Sequence, residues 1–162
     1  MNEGTGDIAR YFNERADKWD ESGCSGESRV QDAVLSLVDL KPGDTVLDLG
    51  CGTGVMIPCY LSAKAGRIVA VDVSEKMIER AREKFGTEPS VELRACDALS
   101  LDEAERFDAV IIYNAYPHFP NKPALVEKVY RLLKPKGRFA VAHGIGRDAI
   151  NRHHEVVAAG VS

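Results

Sequence analysis

No two of the cysteines stand in a CxxC arrangement. The four, Cys24, Cys51, Cys59 and Cys96, are scattered along 162 residues, a chain long enough to fold without disulfide staples. They read as reduced thiols of a cytoplasmic protein. No apolar run approaches the ~18 residues that a membrane-crossing helix needs, and Met1-Asn2-Glu3-Gly4 has neither the basic start nor the apolar stretch of a signal peptide. No membrane partner is expected. Positive charge is not in excess either: 21 Lys+Arg against 25 Asp+Glu give a formal net charge of −4, which repels phosphate polyanions and argues against a nucleic-acid partner. With 44% hydrophobic and 28% charged residues, the composition is that of a folded globular chain and not of a disordered one. The length fits a single domain over 1–162.

From Asp44 onward, short β-branched runs at 45–49, 67–71, 91–95, 107–113 and 138–143 alternate with helical patterns, the signature of an α/β fold. Runs such as Val69-Ala70-Val71 and Val110-Ile111-Ile112 are apolar throughout, as parallel strands buried on both faces should be. Helices must then cover both sides of the sheet. Residues 74–85, opened by a Ser cap, carry Met77, Ile78 and Ala81 at helical spacing, and 122–133 carry Leu125, Val126, Val129 and Leu132 on one face. Pro135-Lys136-Gly137 reads as the turn into the fifth strand. Residues 1–43 read as a helical lid, in which Ile8, Tyr11, Phe12, Ala16 and Trp19, and then Val30, Ala33, Val34, Leu37 and Val38, recur near a 3.6 period. The Ser/Gly-rich stretch 22–28 is the expected hinge between them, 44–146 the cofactor-binding core, and 147–162 a C-terminal helix.

The stretch Val46-Leu47-Asp48-Leu49-Gly50-Cys51-Gly52-Thr53-Gly54 runs a strand into a glycine turn that lets a ligand approach bare backbone. The dinucleotide fingerprint would need glycine at 55, where Val55 stands; the third glycine comes one place early, at Gly54. Asp48 argues the same way, because a carboxylate ahead of the loop disfavours a pyrophosphate and suits a ligand bearing an ammonium and a sulfonium. Asp72 ends the second strand, where doubly wound folds place an acid on ribose hydroxyls. Asp97 follows the third strand and is suited to accept from an adenine amino group. Three acids at three successive strand ends are expected to converge on one crevice.

On these residues the sequence resembles the class I S-adenosylmethionine-dependent methyltransferases over about 11–143. The first motif is Val46–Gly54, and the later ones are Asp72, Asp97, the segment from Phe107 to Asn114, and Leu132-Leu133-Lys134-Pro135-Lys136-Gly137-Arg138-Phe139. Tyr11-Phe12-Asn13 through Trp19-Asp20 resembles the leading helix of the small-molecule branch akin to quinone-biosynthesis enzymes. The resemblance implies a Rossmann-like, mostly parallel sheet of order 3-2-1-4-5. It also implies an S-adenosylmethionine site, with S-adenosylhomocysteine as product, made by Tyr11, Trp19, Asp48, Gly50, Cys51, Gly52, Thr53, Gly54, Asp72, Val73, Met77, Asp97, Ala98 and Asn114. Asn114-Ala115-Tyr116-Pro117 departs from the Asn/Asp-Pro-Pro-aromatic motif of many nucleic-acid and protein amine methyltransferases. A small-molecule acceptor follows.

Several residues have plainer readings. Asp72 and Asp97 are each also suited to capping a helix or holding a turn, Cys51 sits between glycines as a small packing residue, and Asp108 starts a strand as a structural terminus. His118 and His143 follow the fourth and fifth strands and are the candidate general bases, since a histidine titrates near neutrality. No spaced ligand motif supports a metal site, whether from His118 and His143 or with His153 and His154. The family's fold continues beyond the fifth strand by a helix and two strands, whereas 19 residues follow His143. The sheet is thus expected to lack its last two strands and to expose the fifth-strand edge, through truncation or for cover by a second chain, in a homodimer or with another partner. Two rival functions stand beside methyl transfer: a catalytically inactive S-adenosylmethionine-binding or regulatory module, and an NAD-dependent oxidoreductase.

Overall fold

In the computed structural model, residues 3–20 and 28–144 are described. Nearly all of the expected hinge, and the whole expected helix over 147–162 with His153 and His154, lie outside them. Strands β1 (Thr45–Leu49), β2 (Arg67–Asp72), β3 (Val91–Ala95), β4 (Phe107–Tyr113) and β5 (Leu133–Ala142) form one sheet in the order β3-β2-β1-β4-β5. Every neighbouring pair is parallel. Parallel neighbours need crossovers, and α3 (Ile57–Ser62), α4 (Glu75–Phe85) and α5 (Lys122–Leu132) supply most of them, preceded by α1 (Glu3–Arg15) and α2 (Ser28–Val38). The Rossmann-like order expected from the sequence is the order found.

Strand alternation divides the core into two faces. Leu47, Leu49, Val69, Val71, Val110 and Ile112 pack with Leu125, Val129 and Leu132 of α5. On the other face Val46, Ile68 and Ile111 pack with Val34 and Val38 of α2 and Tyr60 of α3. The helices start where their caps stand: the Ser74 hydroxyl accepts from Met77 N at 3.2 Å, and Asn121 Oδ1 accepts from Ala124 N at 3.1 Å. Each cap satisfies an amide that the first helical turn leaves without a partner.

Two expectations need correction. The segment 1–43 is not one lid: α2 is a layer of the core, because Val34 and Val38 belong to the buried cluster beneath the sheet and α2 packs against β5, whereas α1 crosses toward the strand ends. Nor does Pro135-Lys136-Gly137 precede the fifth strand. β5 starts at Leu133, opposite Phe107, and the pairing then jumps to Ala109 with Arg138. Residues 134–137 bulge out of the ladder, since Pro135 lacks an amide proton and Lys136 takes the left-handed conformation at φ 64°. His143 lies just past the end of the strand.

The sheet edges differ. On β3, Glu92 and Arg94 form a charged mesh with Arg67 and Glu105, with Arg94 Nη1 2.7 Å from Glu105 Oε2 and Arg67 Nη2 2.9 Å from Glu92 Oε2. Charge of this kind discourages pairing with a foreign strand. Along β5 the apolar Val141 is 41% exposed.

At the amino ends of the strands, Asp108 Oδ2 accepts from Thr45 N at 2.8 Å and from Lys134 Nζ at 2.9 Å, tying β1, β4 and β5 together. Burial alone would raise the Asp108 pKa, but the Thr45 amide and the Lys134 and Arg138 charges outweigh it and hold it below its ordinary value. Asp108 is structural, as its position at a strand start suggested. Asp108→Ala is expected to cost about 1–3 kcal/mol of stability, the penalty for an amide left without its acceptor. Urea unfolding measures the loss, and ligand binding at the opposite end of the sheet should be unchanged.

Candidate functional site

The carboxyl ends of the strands surround a cavity of about 290 Å³, close to the lower end of ordinary ligand pockets. Its floor is the loop that follows β1. Gly50, Gly52 and Gly54 all have positive φ, at 72°, 55° and 90°, where a side chain is costly. Gly50 N and Cys51 N both donate to Val71 O, at 2.8 and 3.0 Å, and fasten the loop to the end of β2. The glycines serve different ends. A Cβ on Gly50 would stand 2.4 Å from Ala115 Cβ, and one on Gly54 2.8 Å from the Phe85 ring. Gly52 instead faces the cavity, with Trp19 Nε1 the nearest group at 4.0 Å from its Cβ position.

Gly50, Cys51, Gly52 and Thr53 line the cavity. Gly54, expected there, does not: its close approach is to α4. The Cys51 thiol is pushed well above its ordinary range by burial first and by the Asp72 and Asp48 charges after it. Buried to 3% exposure between two glycines, it packs against Ile57, Ala70 and Ile78.

Asp72 is the centre of the site. Its Oδ2 accepts from Gly52 N at 2.9 Å and its Oδ1 from Ser74 N at 2.8 Å, so one carboxylate spans the glycine loop and the start of α4. Burial raises its pKa, against the opposing backbone amides of Ser74, Gly52 and Val73. Val73 and Met77 continue this wall, and Asp97 and Ala98 stand on the next. Asp97 Oδ1 accepts from Leu99 N at 2.9 Å, capping a short 3₁₀ turn, while Oδ2 accepts from the Thr5 hydroxyl at 3.4 Å. Its capping role and its place in the cavity coexist. Asn114 closes the side near β4 in the left-handed conformation, φ 57°, its Oδ1 accepting from Gly144 N at 2.7 Å.

Asp48 is elsewhere. Two places after Val46, it faces the side of the sheet that α2 and α3 cover, lies beneath the loop at 1% exposure and does not line the cavity. The expected meeting of three carboxylates is made by Asp72 and Asp97 alone. Neither Asp48 oxygen has a partner at hydrogen-bonding geometry. Burial, with a further contribution from the Asp72 charge, pushes its pKa up to about 7, and the Tyr60 hydroxyl offsets only part of that penalty.

The roof comes from α1 and the turn after it. Phe12 lies edge-on to Trp19 and to His118, with ring centroids 5.4 and 5.1 Å apart, and all three line the cavity. Tyr11 does not. One residue along a helix is a rotation of about 100°, which places Tyr11 outside, edge-on to Phe12 and beneath the Arg15 guanidinium. Asp20, just beyond Trp19, accepts from the Thr53 hydroxyl at 2.6 Å and pairs with Lys84 at 3.2 Å. Of the two candidate bases, His118 reaches the cavity and His143 does not. Among the lining residues that the sequence reading did not assign to the site are Thr5, Ile8, Asp20, Lys84 and Phe119. The 8/12 spacing was a signal for Ile8 and the place after Trp19 one for Asp20; nothing local marked the others. Among the described residues no cluster of three or more His, Cys, Asp or Glu is arranged to hold a metal ion.

The fold and site thus define an α/β domain with a cavity at the carboxyl ends of a parallel sheet. A methyltransferase-domain family model matches residues 46–137. An uncharacterized methyltransferase of Schizosaccharomyces pombe is 37% identical over 131 residues, 73% of this chain and 46% of that protein. A demethylmenaquinone methyltransferase of Symbiobacterium thermophilum is 33% identical over 105 residues, 61% of this chain and 42% of that protein. Among solved structures, the methyltransferase in a complex with the Haloferax volcanii Trm112 methyltransferase activator is similar at TM-score 0.74 and 26% identity, over 88% of this chain and 64% of that one. The chain belongs to the class I S-adenosylmethionine-dependent methyltransferase family. It spans less than half the length of the curated relatives it matches.

Asp48 yields a pH prediction. An unfolded aspartate titrates near 3.9 and the buried one at about 7, so the folded state holds an extra proton between those values and stability falls as pH rises through that window. Asp48→Asn is expected to flatten this part of the profile and to be the more stable protein at pH 8. Thermal midpoints from pH 4 to pH 8 test it; parallel profiles for both proteins would refute it.

Proposed function

We propose that this chain binds S-adenosylmethionine in the cavity and transfers its methyl group to a small-molecule acceptor. The observation that carries the reading is the Asp72 carboxylate, held between Gly52 N and Ser74 N at the mouth of a bare-backbone loop. The residues suit such a ligand. Asp72 is placed to accept from the ribose diol and Asp97 from the adenine amino group, while Val73, Met77, Ala98 and Leu99 offer apolar surface to the base. Gly50 and Gly52 let the amino-acid end lie against backbone, under Trp19. The chemistry such a cofactor supplies is a methyl group already activated on a sulfonium and transferred by in-line displacement. The chain's part is chiefly positional, and alignment of this kind is worth up to roughly 7–11 kcal/mol of barrier. Phe12 and Trp19 keep water from the reacting centre, and His118 is placed to take a proton from an acceptor hydroxyl, thiol or amine.

The small-molecule class rests on the Asn114-Ala115-Tyr116-Pro117 segment and the net charge of −4. It is also the chemistry named for the demethylmenaquinone relative. No helix among the described residues is long and apolar enough to cross a membrane, in keeping with a cytoplasmic enzyme.

S-adenosylhomocysteine is expected to change the fluorescence of Trp19, the one tryptophan of the chain. Charged hydrogen bonds contribute roughly 1.5–3 kcal/mol each, so Asp72→Ala should weaken that binding about 10- to 100-fold. Trp19 emission checks the first point and titration calorimetry the second; with S-adenosylhomocysteine and NAD titrated in parallel, preference for NAD would overturn the reading. Turnover with a panel of thiols, phenols and amines separates an enzyme from a binding module. The reading includes a second chain on the edge of β5, where Val141 is exposed. Light scattering should then report a species larger than a monomer, and a uniform monomer would remove that part of it.

A further inference from the structure

The hydrogen bonds around Asp72 continue outward into the roof. Asn13, on α1, directs its Oδ1 to the start of α4, where it accepts from the Ser74 hydroxyl at 2.7 Å and from Lys76 N at 3.2 Å. Ser74 is fully buried, and its hydroxyl is used twice: it donates to Asn13 and accepts from Met77 N at 3.2 Å. Its own amide donates to Asp72, whose other oxygen takes Gly52 N. One chain of bonds therefore runs from the roof helix through the α4 cap and the strand-end carboxylate to the glycine floor. The remaining ties of the roof differ in kind. Thr5 reaches Asp97 at 3.4 Å, Asp20 accepts from the Thr53 hydroxyl at 2.6 Å without touching the α4 cap or Asp72, and Asp17 and Asp20 pair with Arg80 and Lys84 at exposed positions, where ion pairs contribute little.

We infer that Asn13 is a positioning residue: by completing the cap of α4 it locks the roof shut and holds Asp72 in the orientation that meets the ligand diol. This rests on the S-adenosylmethionine reading for the identity of the ligand, but not for the lock. Asn13 does not line the cavity. Its effect passes through Ser74. Because its two bonds use only acceptor capacity, a carboxylate in the same place can make both, whereas a methyl group makes neither.

The test compares the wild-type chain with Asn13→Ala and Asn13→Asp. In the ligand-free proteins, acrylamide quenching of Trp19 reports whether the roof is closed. Asn13→Ala is expected to raise the quenching constant and Asn13→Asp to leave it near wild type. With S-adenosylhomocysteine, stopped-flow release followed at Trp19 should be about tenfold faster in Asn13→Ala, corresponding to the loss of about two neutral hydrogen bonds, and within about twofold of wild type in Asn13→Asp by the same comparison. Unchanged Trp19 accessibility in Asn13→Ala, or an Asn13→Asp protein as open as Asn13→Ala, would overturn the lock. A wild-type chain that fails to bind S-adenosylhomocysteine would overturn the functional reading instead, and the quenching comparison would still decide for or against Asn13.

Discussion

A single buried carboxylate joins the parts of this site. Asp72 would be costly where it stands, at 9% exposure, without hydrogen bonds to its charged form. Two backbone amides provide them, Gly52 N from one side and Ser74 N from the other. The parallel register of β1 with β2, which sets Leu49 beside Val71, brings the glycine loop to the carboxylate. The left-handed glycines let the loop turn tightly enough to present an amide there. The Ser74 cap fixes the other amide. If register, turn or cap moved, a charge would be left without partners.

Asp48 is the informative contrast. It is an aspartate of the first motif, 24 positions earlier in the chain, and no backbone amide and no group at full hydrogen-bonding geometry meets its oxygens, with the Tyr60 hydroxyl easing only part of the burial. Burial there pushes its pKa to about 7, whereas Asp72 meets the same kind of burial with amides placed against it. The difference is one of geometry. Asp72 is the last residue of its strand and meets the loop; Asp48 lies within its strand, on a face sealed by α2 and α3. A buried acid held by backbone donors is a site, and one without them is a titrating group of the core.

The family match covers 46–137, from β1 into the bulge of β5. The roof lies ahead of it. Phe12 and Trp19 close the cavity with His118 from the far side, and Thr5 and Asn13 of α1 and Asp20 of the turn after it bind the roof to three separate parts of the core. The shared core thus carries Asp72 and Asp97 of the cavity wall, and the leading helix with the turn after it carries Phe12 and Trp19 of the aromatic cover. Differences in that helix among relatives would alter closure without disturbing the sheet.

The strands, the glycine turn and the acids at strand ends were legible in the sequence because each rests on local chemistry, while the strand order followed from the family resemblance. Apolar runs mark parallel strands, glycine permits positive φ, and an acid after a β-branched run falls at a strand end. Periodicity also found α1, yet not the side of it that faces inward: Phe12 lines the cavity and Tyr11 does not, a choice set by how α1 docks on α4. Likewise the sequence showed that Pro135-Lys136-Gly137 interrupts regular structure, but whether it turns or bulges depended on Leu133 already being paired with Phe107. Composition and short-range pattern determined the elements, and the family resemblance supplied the class of ligand. Which carboxylates share the crevice, which histidine reaches it and what Asn13 holds were decided only when distant segments packed, because those contacts join residues with no relation along the chain.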